Sequence, residues 1–289
     1  MDSLQTPAKY CMTIESQPPA SPASFPAFQR FWADLKSPDF AALDVAATIA
    51  VLPAAAIEQH GPHLPLSVDT DLVNGVIAHC LPHLKPEQRV LFMPTQCIGR
   101  SIEHVEFAGT LTLGAATLIQ SWIDLGECVA RTGIKKLVLL NAHGGNVSTM
   151  DIVGRELRAR FGMTVWMVNT FGLPLPADVR GLFGADEERF GVHGGDVETS
   201  MMLALHPHKV DMGLATNFHS SSRDRAAGFT ILGDGRSAKL AWSSQDLNPQ
   251  GVAGNAAAAT ADKGRAVLVA AGRSLAQLLD EVSRIPALG

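Results

Sequence analysis

Short aliphatic runs alternate with longer segments of helical periodicity along most of the chain. The four runs, rich in Val, Leu, Ile and Met, occupy residues 47–53, 89–95, 135–142 and 163–171. Apolar residues recur at helical spacing within segments 70–81, 115–133 and 147–162. Strands without polar alternation are typical of a parallel sheet that is covered on both faces. The sequence therefore predicts an α/β fold, a single three-layer α/β/α domain with a mostly parallel sheet.

The two ends of the chain differ from this pattern. Residues 1–27 of the 289 are rich in Pro, Ser and Ala, which predicts a flexible leader before a domain that covers residues 28–289. Further helices are expected at 197–206 and at about 254–284. Between them lies a loop rich in Gly, Ser and Asp, with a short hairpin predicted at FTILGDG (229–235).

Composition excludes several classes of partner. The net charge of −5 does not fit a general binder of nucleic acid or of anionic membranes, since both need a basic surface. Four cysteines without a Cys-x-x-Cys pair indicate reduced thiols. No apolar stretch fits a signal peptide or a membrane span, so we expect a cytoplasmic protein with no nucleic-acid or membrane partner.

Polar side chains follow the first predicted strand. Glu58 and His60 are two residues apart, so in an extended segment they point to the same side. Asp69 opens the next helix, where the helix dipole stabilises a carboxylate. Carboxylates with an imidazole suit Zn²⁺ or Mn²⁺, although a polar loop with a helix cap has the same residue types.

Two further polar segments are expected at the same sheet edge. His143 follows the third strand directly and precedes Gly144 and Gly145. His193 lies in a glycine loop, and Glu198 lies in the first turn of the helix that follows. A histidine beside a metal can act as an acid or base near neutral pH, whereas the alternative is a set of caps and turns. Ligands of parallel sheets bind beyond the carboxyl ends of the strands, so these segments are expected to converge.

Four blocks in order carry a family resemblance: IEQHGPHLPLSVDTD, EHVEFAGTLTL, NAHGGN and HGGDVETS. Over about residues 45–275 the chain resembles the creatininase family. The resemblance implies a homo-oligomer, usually a homohexamer, that acts on a small-molecule substrate. It also implies two divalent metal ions, zinc or manganese with iron as a further option, at a site that hydrolyses C–N bonds.

The resemblance also implies roles for individual residues. One metal would be held by Glu58, Asp69 and His143, and the other by His60, Asp69 and Glu198. His193 would be the catalytic acid and base. The residues that would line the pocket or support the ligands are Glu103, His104, Asn141, Gly144, Gly145 and His63.

The chain departs from true creatininases in two places. Gly144 and Gly145 stand where creatininases carry an aromatic residue and a glutamate, and no tryptophan occurs between Trp166 and Trp242. The expected reaction is therefore hydrolysis of a non-peptide or cyclic C–N bond in a small amide other than creatinine. The sequence leaves open family members that act on a formamidopyrimidine, on a peptide precursor of a redox cofactor or on a cyclic sugar ketone. Hydrolysis of a C–C bond in a cyclic ketone also stays open, as does a non-catalytic role as a binding or assembly module.

Overall fold

Four parallel strands form the central sheet of the computed structural model, which describes residues 28–288. The strands are β1 (Ile49–Ala54), β2 (Val90–Phe92), β3 (Lys136–Asn141) and β4 (Thr164–Asn169). Their order is β2-β1-β3-β4, and β1 pairs with both neighbours in parallel register. The leader predicted for residues 1–27 lies outside the described residues.

Helices connect and cover these strands. They are α1 (Ser37–Ala41), α2 (Val68–Cys80), α3 (Ala115–Arg131), α4 (Val147–Phe161), α5 (Ala177–Arg180), α6 (Ala185–Phe190), α7 (Asp196–Leu205), α8 (Ser221–Gly228), α9 (Ser244–Leu247) and α10 (Ala261–Arg284). Gly162 ends α4 in the left-handed conformation that glycine adopts readily. Within residues 28–288, no helix is both long and apolar enough to span a bilayer.

Side chains of the sheet alternate between two apolar layers. In β1, Ile49 and Val51 pack with α2, α7 and α10 on one face. Ala50 and Leu52 pack with α3 and α4 on the other face. Both faces of β1 are therefore buried, which explains why this strand has only apolar residues. The predicted three-layer α/β/α architecture and its parallel sheet are confirmed.

Strand order positions the site. The chain moves from β1 outwards to β2 and then returns to β3 on the other side of β1. The crevice beyond the carboxyl ends of β1 and β3 is thus the point at which the direction of winding reverses. Ala54 pairs with Asn141 at this edge, so the segments that follow the two strands start side by side.

Two local predictions after residue 205 are wrong. Segment 229–235 forms turns and bends rather than a hairpin, and the side chains of Phe229 and Ile231 are exposed. The short antiparallel pair forms instead between β5 (Asn217–Phe218) and β6 (Gly254–Asn255). The last helix begins at Ala261 because the Thr260 hydroxyl caps its first turn by accepting from the Lys263 N–H.

Candidate metal centre

Five predicted ligands come from four segments that meet at the carboxyl edge of the sheet. Glu58 and His60 lie in the loop after β1, and Asp69 lies in the first turn of α2. His143 follows β3, and Glu198 lies in the first turn of α7. The structure brings the five together in two groups of three that share Asp69.

One group of possible ligand atoms surrounds Asp69 on the β3 side. His143 Nδ1 lies 3.2 Å from Glu58 Oε1 and 3.3 Å from Asp69 Oδ2. The three side chains are buried, and their donor atoms lie within 4.8 Å of one another. This is a carboxylate–carboxylate–imidazole set of the kind that binds Zn²⁺ or Mn²⁺.

A second group lies on the other side of the same aspartate. His60 Nε2 is 3.4 Å from Asp69 Oδ1 and 3.9 Å from Glu198 Oε2. Asp69 thus belongs to both groups and presents a different oxygen to each histidine. A carboxylate that is common to both groups could contribute a ligand to a cation in either of them.

Backbone carbonyl groups orient the two histidines. His60 Nδ1 lies 3.1 Å from the Glu58 carbonyl oxygen, and His143 Nε2 lies 2.8 Å from the Arg100 carbonyl oxygen. Because a carbonyl oxygen only accepts, these ring nitrogens must carry a proton. When the rings are neutral, the opposite nitrogens offer lone pairs to the centre, as metal-binding histidines do.

Several buried polar atoms of the centre have no hydrogen-bond partner among residues 28–288. They are Glu58 Oε1 and Oε2, His60 Nε2 and Asp69 Oδ2. A buried carboxylate without hydrogen-bond partners destabilises the fold unless a cation compensates its charge. The residues present therefore fit divalent metal ions.

Carboxylate charge dominates the electrostatics of the centre. Burial opposes the charged form of His60, but the adjacent carboxylate of Asp69 raises its pKa to about 9. The pKa of His143 is also raised, because the charge of Glu58 outweighs the effect of burial. Burial raises the pKa of Glu198 to about 7. The site thus attracts protons or other cations.

His193 lies over this centre in the glycine loop between α6 and α7. Its backbone pairs with Ala253, and its ring lies between those of His60 and His104, at centroid distances of 4.1 and 4.3 Å. Nε2 donates to the Gln59 carbonyl oxygen at 2.7 Å, so Nδ1 faces the centre, 3.8 Å from Glu58 Oε1. Burial and the neighbouring histidines His60 and His104 lower the pKa of His193.

Three of the predicted supporting residues brace the ligands. The Asn141 amide donates to the His143 carbonyl oxygen and accepts from the His143 N–H, which holds the turn. His63 Nε2 contacts Thr199 Oγ1 at 2.9 Å and so ties the first loop to α7. His104 Nε2 lies 3.3 Å from Glu58 Oε1.

The double glycine has two different environments. A Cβ at Gly144 would meet no atom, whereas a Cβ at Gly145 would collide with the Arg100 carbonyl and with Glu103 Oε1. Glu103 thus occupies the space beside Gly145, and its Oε1 lies 3.6 Å from His143 Nε2. Gly144 leaves an open surface next to a predicted ligand.

Sequence reasoning missed two buried residues that organise the site. Gln59 lies between Glu58 and His60. In an extended segment its side chain points away from theirs, and this alternation is the signal that could have identified it. Glu187 of α6 accepts from the backbone N–H groups of Asp196 and Asn255, both at 2.7 Å. It joins the start of α7 to β6, and no local sequence signal distinguishes it from a surface glutamate.

Comparison with known sequences identifies the relatives of the chain. The family model described as "Creatininase: Creatinine amidohydrolase" matches residues 33–279. A mycofactocin precursor peptide peptidase of Mycobacterium ulcerans is 30% identical over 81% of this chain and 83% of its own length. A creatinine amidohydrolase of Pseudomonas putida is 34% identical over 57% of this chain and 66% of its own length.

Solved structures show the same fold. A structure titled "Creatininase Mn" is 27% identical and has a TM-score of 0.69, covering 88% of this chain and 99% of that chain. A creatininase variant of the Zn-Zn type is 25% identical with a TM-score of 0.71, covering 88% and 98%. The family model and the solved structures agree, and the chain belongs to the creatininase family of hydrolases.

Proposed function

We propose that this protein is a dinuclear metal-dependent amidohydrolase that cleaves a C–N bond of a small amide other than creatinine. The observation that carries the proposal is the pair of ligand groups that share Asp69. Unpartnered carboxylate and imidazole atoms in a buried site support a resident cation. The Mn and Zn-Zn forms of the similar creatininases favour those two metals.

In this proposal, Glu58, Asp69 and His143 hold one ion, and His60, Asp69 and Glu198 hold the other. When bound, two such ions lower the pKa of a water molecule and polarise a carbonyl group. The protein supplies the fixed carboxylates and the backbone carbonyls that orient the histidines, so little reorganisation is needed during the reaction.

His193 is the proposed proton carrier. Its Nε2–H is held by the Gln59 carbonyl, so the atom that exchanges a proton with the substrate is Nδ1. A neutral imidazole at this position can take a proton from water and return it to the departing nitrogen. Burial and the neighbouring histidines lower the pKa of His193, which favours the neutral form of the ring.

A peptide amide is the second candidate substrate. A relative that covers 81% of the chain is named a peptidase of a precursor peptide. Gly144 lies exposed beside His143, and a Cβ added to it would have no neighbouring atom within 4 Å. The surface next to the centre is therefore open to a longer substrate. In both proposals, a peptide amide and a small amide are cleaved with the same metals and the same proton carrier.

The test is product analysis with a substrate panel at defined metal content. Purified protein is loaded with Zn²⁺ or Mn²⁺, and the metal is quantified by mass spectrometry. It is then assayed on formamides, cyclic amides, short peptides, cyclic ketones and creatinine. We expect release of an amine or formate that stops in the Asp69→Asn variant. A ring-opened acid from a ketone, or a folded protein without metal or turnover, would refute the proposal.

A further inference from the structure

Gln59 has a completely satisfied side-chain amide in the interior of the site. It is only 5% exposed. Nε2 donates to the Gly251 carbonyl oxygen at 2.7 Å and lies 2.9 Å from His104 Nδ1, while Oε1 accepts from the Gly61 N–H at 2.8 Å. A flipped amide would place oxygen against oxygen at Gly251 and N–H against N–H at Gly61. These two backbone groups therefore fix which end of the amide faces His104.

The fixed amide determines the tautomer of His104. Because Gln59 presents an N–H to His104 Nδ1, that nitrogen must accept. The ring proton then resides on Nε2, which lies 3.3 Å from Glu58 Oε1. The opposite tautomer would point a lone pair at the carboxylate. Gln59 thus controls the group that faces a predicted metal ligand.

The backbone of the same residue controls a second imidazole. The Gln59 carbonyl oxygen accepts from His193 Nε2, which leaves Nδ1 towards the centre. The rings of His104 and His193 stack with a centroid distance of 4.3 Å. One residue therefore sets the protonated nitrogen in both neighbouring rings.

Gly251, which is distant in the sequence, leaves space for the Gln59 side-chain amide. Gly251 has a φ of 73°, in the left-handed region that favours glycine, and a Cβ there would collide with the Gln59 amide. The same segment continues to Ala253, which pairs with the backbone of His193. The loop at 251–253 is thus shaped around the Gln59 side chain and the His193 backbone.

We propose that Gln59 is a positioning residue that sets the tautomers of His104 and His193, so that His104 presents an N–H towards Glu58 and His193 presents its proton-carrying nitrogen to the centre. The proposal rests on the proposed function for the role of Glu58 and His193. The tautomers themselves follow from contacts within the protein, so they can be tested whether or not the protein turns over a substrate.

The first measurement is long-range ¹⁵N–¹H correlation spectroscopy on histidine-labelled, metal-free full-length protein. Signals of His104 and His193 are assigned with His104→Gln and His193→Gln. We expect both rings to carry the proton on Nε2. In Gln59→Glu, a carboxylate accepts from His104 Nδ1, so we expect that nitrogen to become protonated.

The second measurement is metal affinity by chelator competition. Changes in groups that support metal ligands cost about 10- to 100-fold in affinity or activity, and we expect such a loss in Gln59→Leu and Gln59→Glu. Gln88→Leu is the matched control, since Gln88 is 6% exposed and hydrogen-bonded to Lys85 and Asp280. It lies before β2, at the opposite edge of the sheet, so its loss should lower stability and leave affinity unchanged.

The outcomes separate the two proposals. Protonated Nδ1 in wild-type His104, or an unchanged tautomer and metal affinity in both Gln59 variants, overturns the positioning role. An equal loss of affinity in Gln88→Leu also overturns it, because the effect would then be one of stability. Wild-type protein with the expected tautomers but no metal binding refutes the proposed function alone.

Discussion

At the scale of single residues, hydrogen bonds to backbone carbonyls decide which nitrogen of each histidine faces the carboxylates. His60, His143 and His193 all use one ring nitrogen in this way. Their residue types and approximate placement could be predicted from the sequence, because polar side chains follow adjacent parallel strands. The tautomers could not, since the accepting carbonyls belong to residues whose side chains carry no signal for this role.

Replacement of His193 tests its proposed role. His193→Asn should retain the metal content of wild type and lower kcat by about 10²- to 10⁴-fold, since it removes a proton carrier. Metal analysis and steady-state kinetics measure the two effects separately. His193 also lies near Glu58 and His60 in a third group of possible ligands. Loss of one metal ion in the variant would therefore identify His193 as a metal ligand and contradict its proposed role as the proton carrier.

His63 should make stability depend on pH. Burial lowers its pKa to about 4 from the usual 6.5. Between these values the unfolded chain binds the proton and the folded protein does not, so acidification favours unfolding. Above pH 6.5 the ring of His63 is neutral in both states and does not lower the free energy of unfolding. As the pH falls from 6.5 to about 4, protonation of the unfolded chain progressively lowers that free energy. Denaturant unfolding of metal-free protein should show a shallower pH slope in His63→Gln over this window, and an unchanged slope would contradict the assignment.

At the scale of elements, α10 is the support on which two ligand-bearing helices rest. Gly264 packs against the Ser200 carbonyl of α7, and Gly272 packs against the backbone of His79 in α2. These helices carry Glu198 and Asp69. The four strands of the main sheet and the longer helices could be predicted from periodicity, whereas short helices such as α5, α6 and α8 could not. Contacts between distant elements, such as this one and the pairing of β5 with β6, leave no periodic pattern and could not be predicted.

A methyl group at Gly264 should disturb this support. Its Cβ would collide with the Ser200 carbonyl, so Gly264→Ala should destabilise the protein by about 1–3 kcal/mol and displace α7. Because α7 carries Glu198, metal affinity should fall as well. Thermal unfolding and chelator competition measure both effects, with the exposed Arg273→Ala on the same helix as control. A stability loss without any change in affinity would show that α7 is not coupled to the centre.

At the scale of the whole molecule, the candidate centre brings together segments that are far apart in the sequence at one edge of the sheet. Its side chains come from the loop after β1 and from α2, the turn after β3, and α7. Family membership and the α/β/α architecture could be predicted from four ordered motifs. The link through Glu187 and the 251–255 segment could not, since it depends on backbone groups that any sequence presents.

Metal binding should stabilise the whole fold. A ligand that binds only the folded state adds about 2.7 kcal/mol at a free concentration 100 times its Kd. Zn²⁺ or Mn²⁺ should therefore raise the Tm of chelator-treated protein, as measured by calorimetry. Asp69→Asn removes the carboxylate common to both groups and should abolish most of this shift. An equal shift in the variant would indicate binding elsewhere.

The contact between Gln59 and Gly251 spans 192 positions of the chain. Synthesis runs from the N-terminus, so a ribosome that has already released Glu58, Asp69 and His143 still has to translate the loop that completes their surroundings. The nascent chain thus exposes half-formed sets of ligands for most of its synthesis. The surroundings of the candidate centre are therefore complete only after Gly251 has been translated, and under the proposed function a chain truncated before Gly251 should bind metal more weakly than the full-length protein.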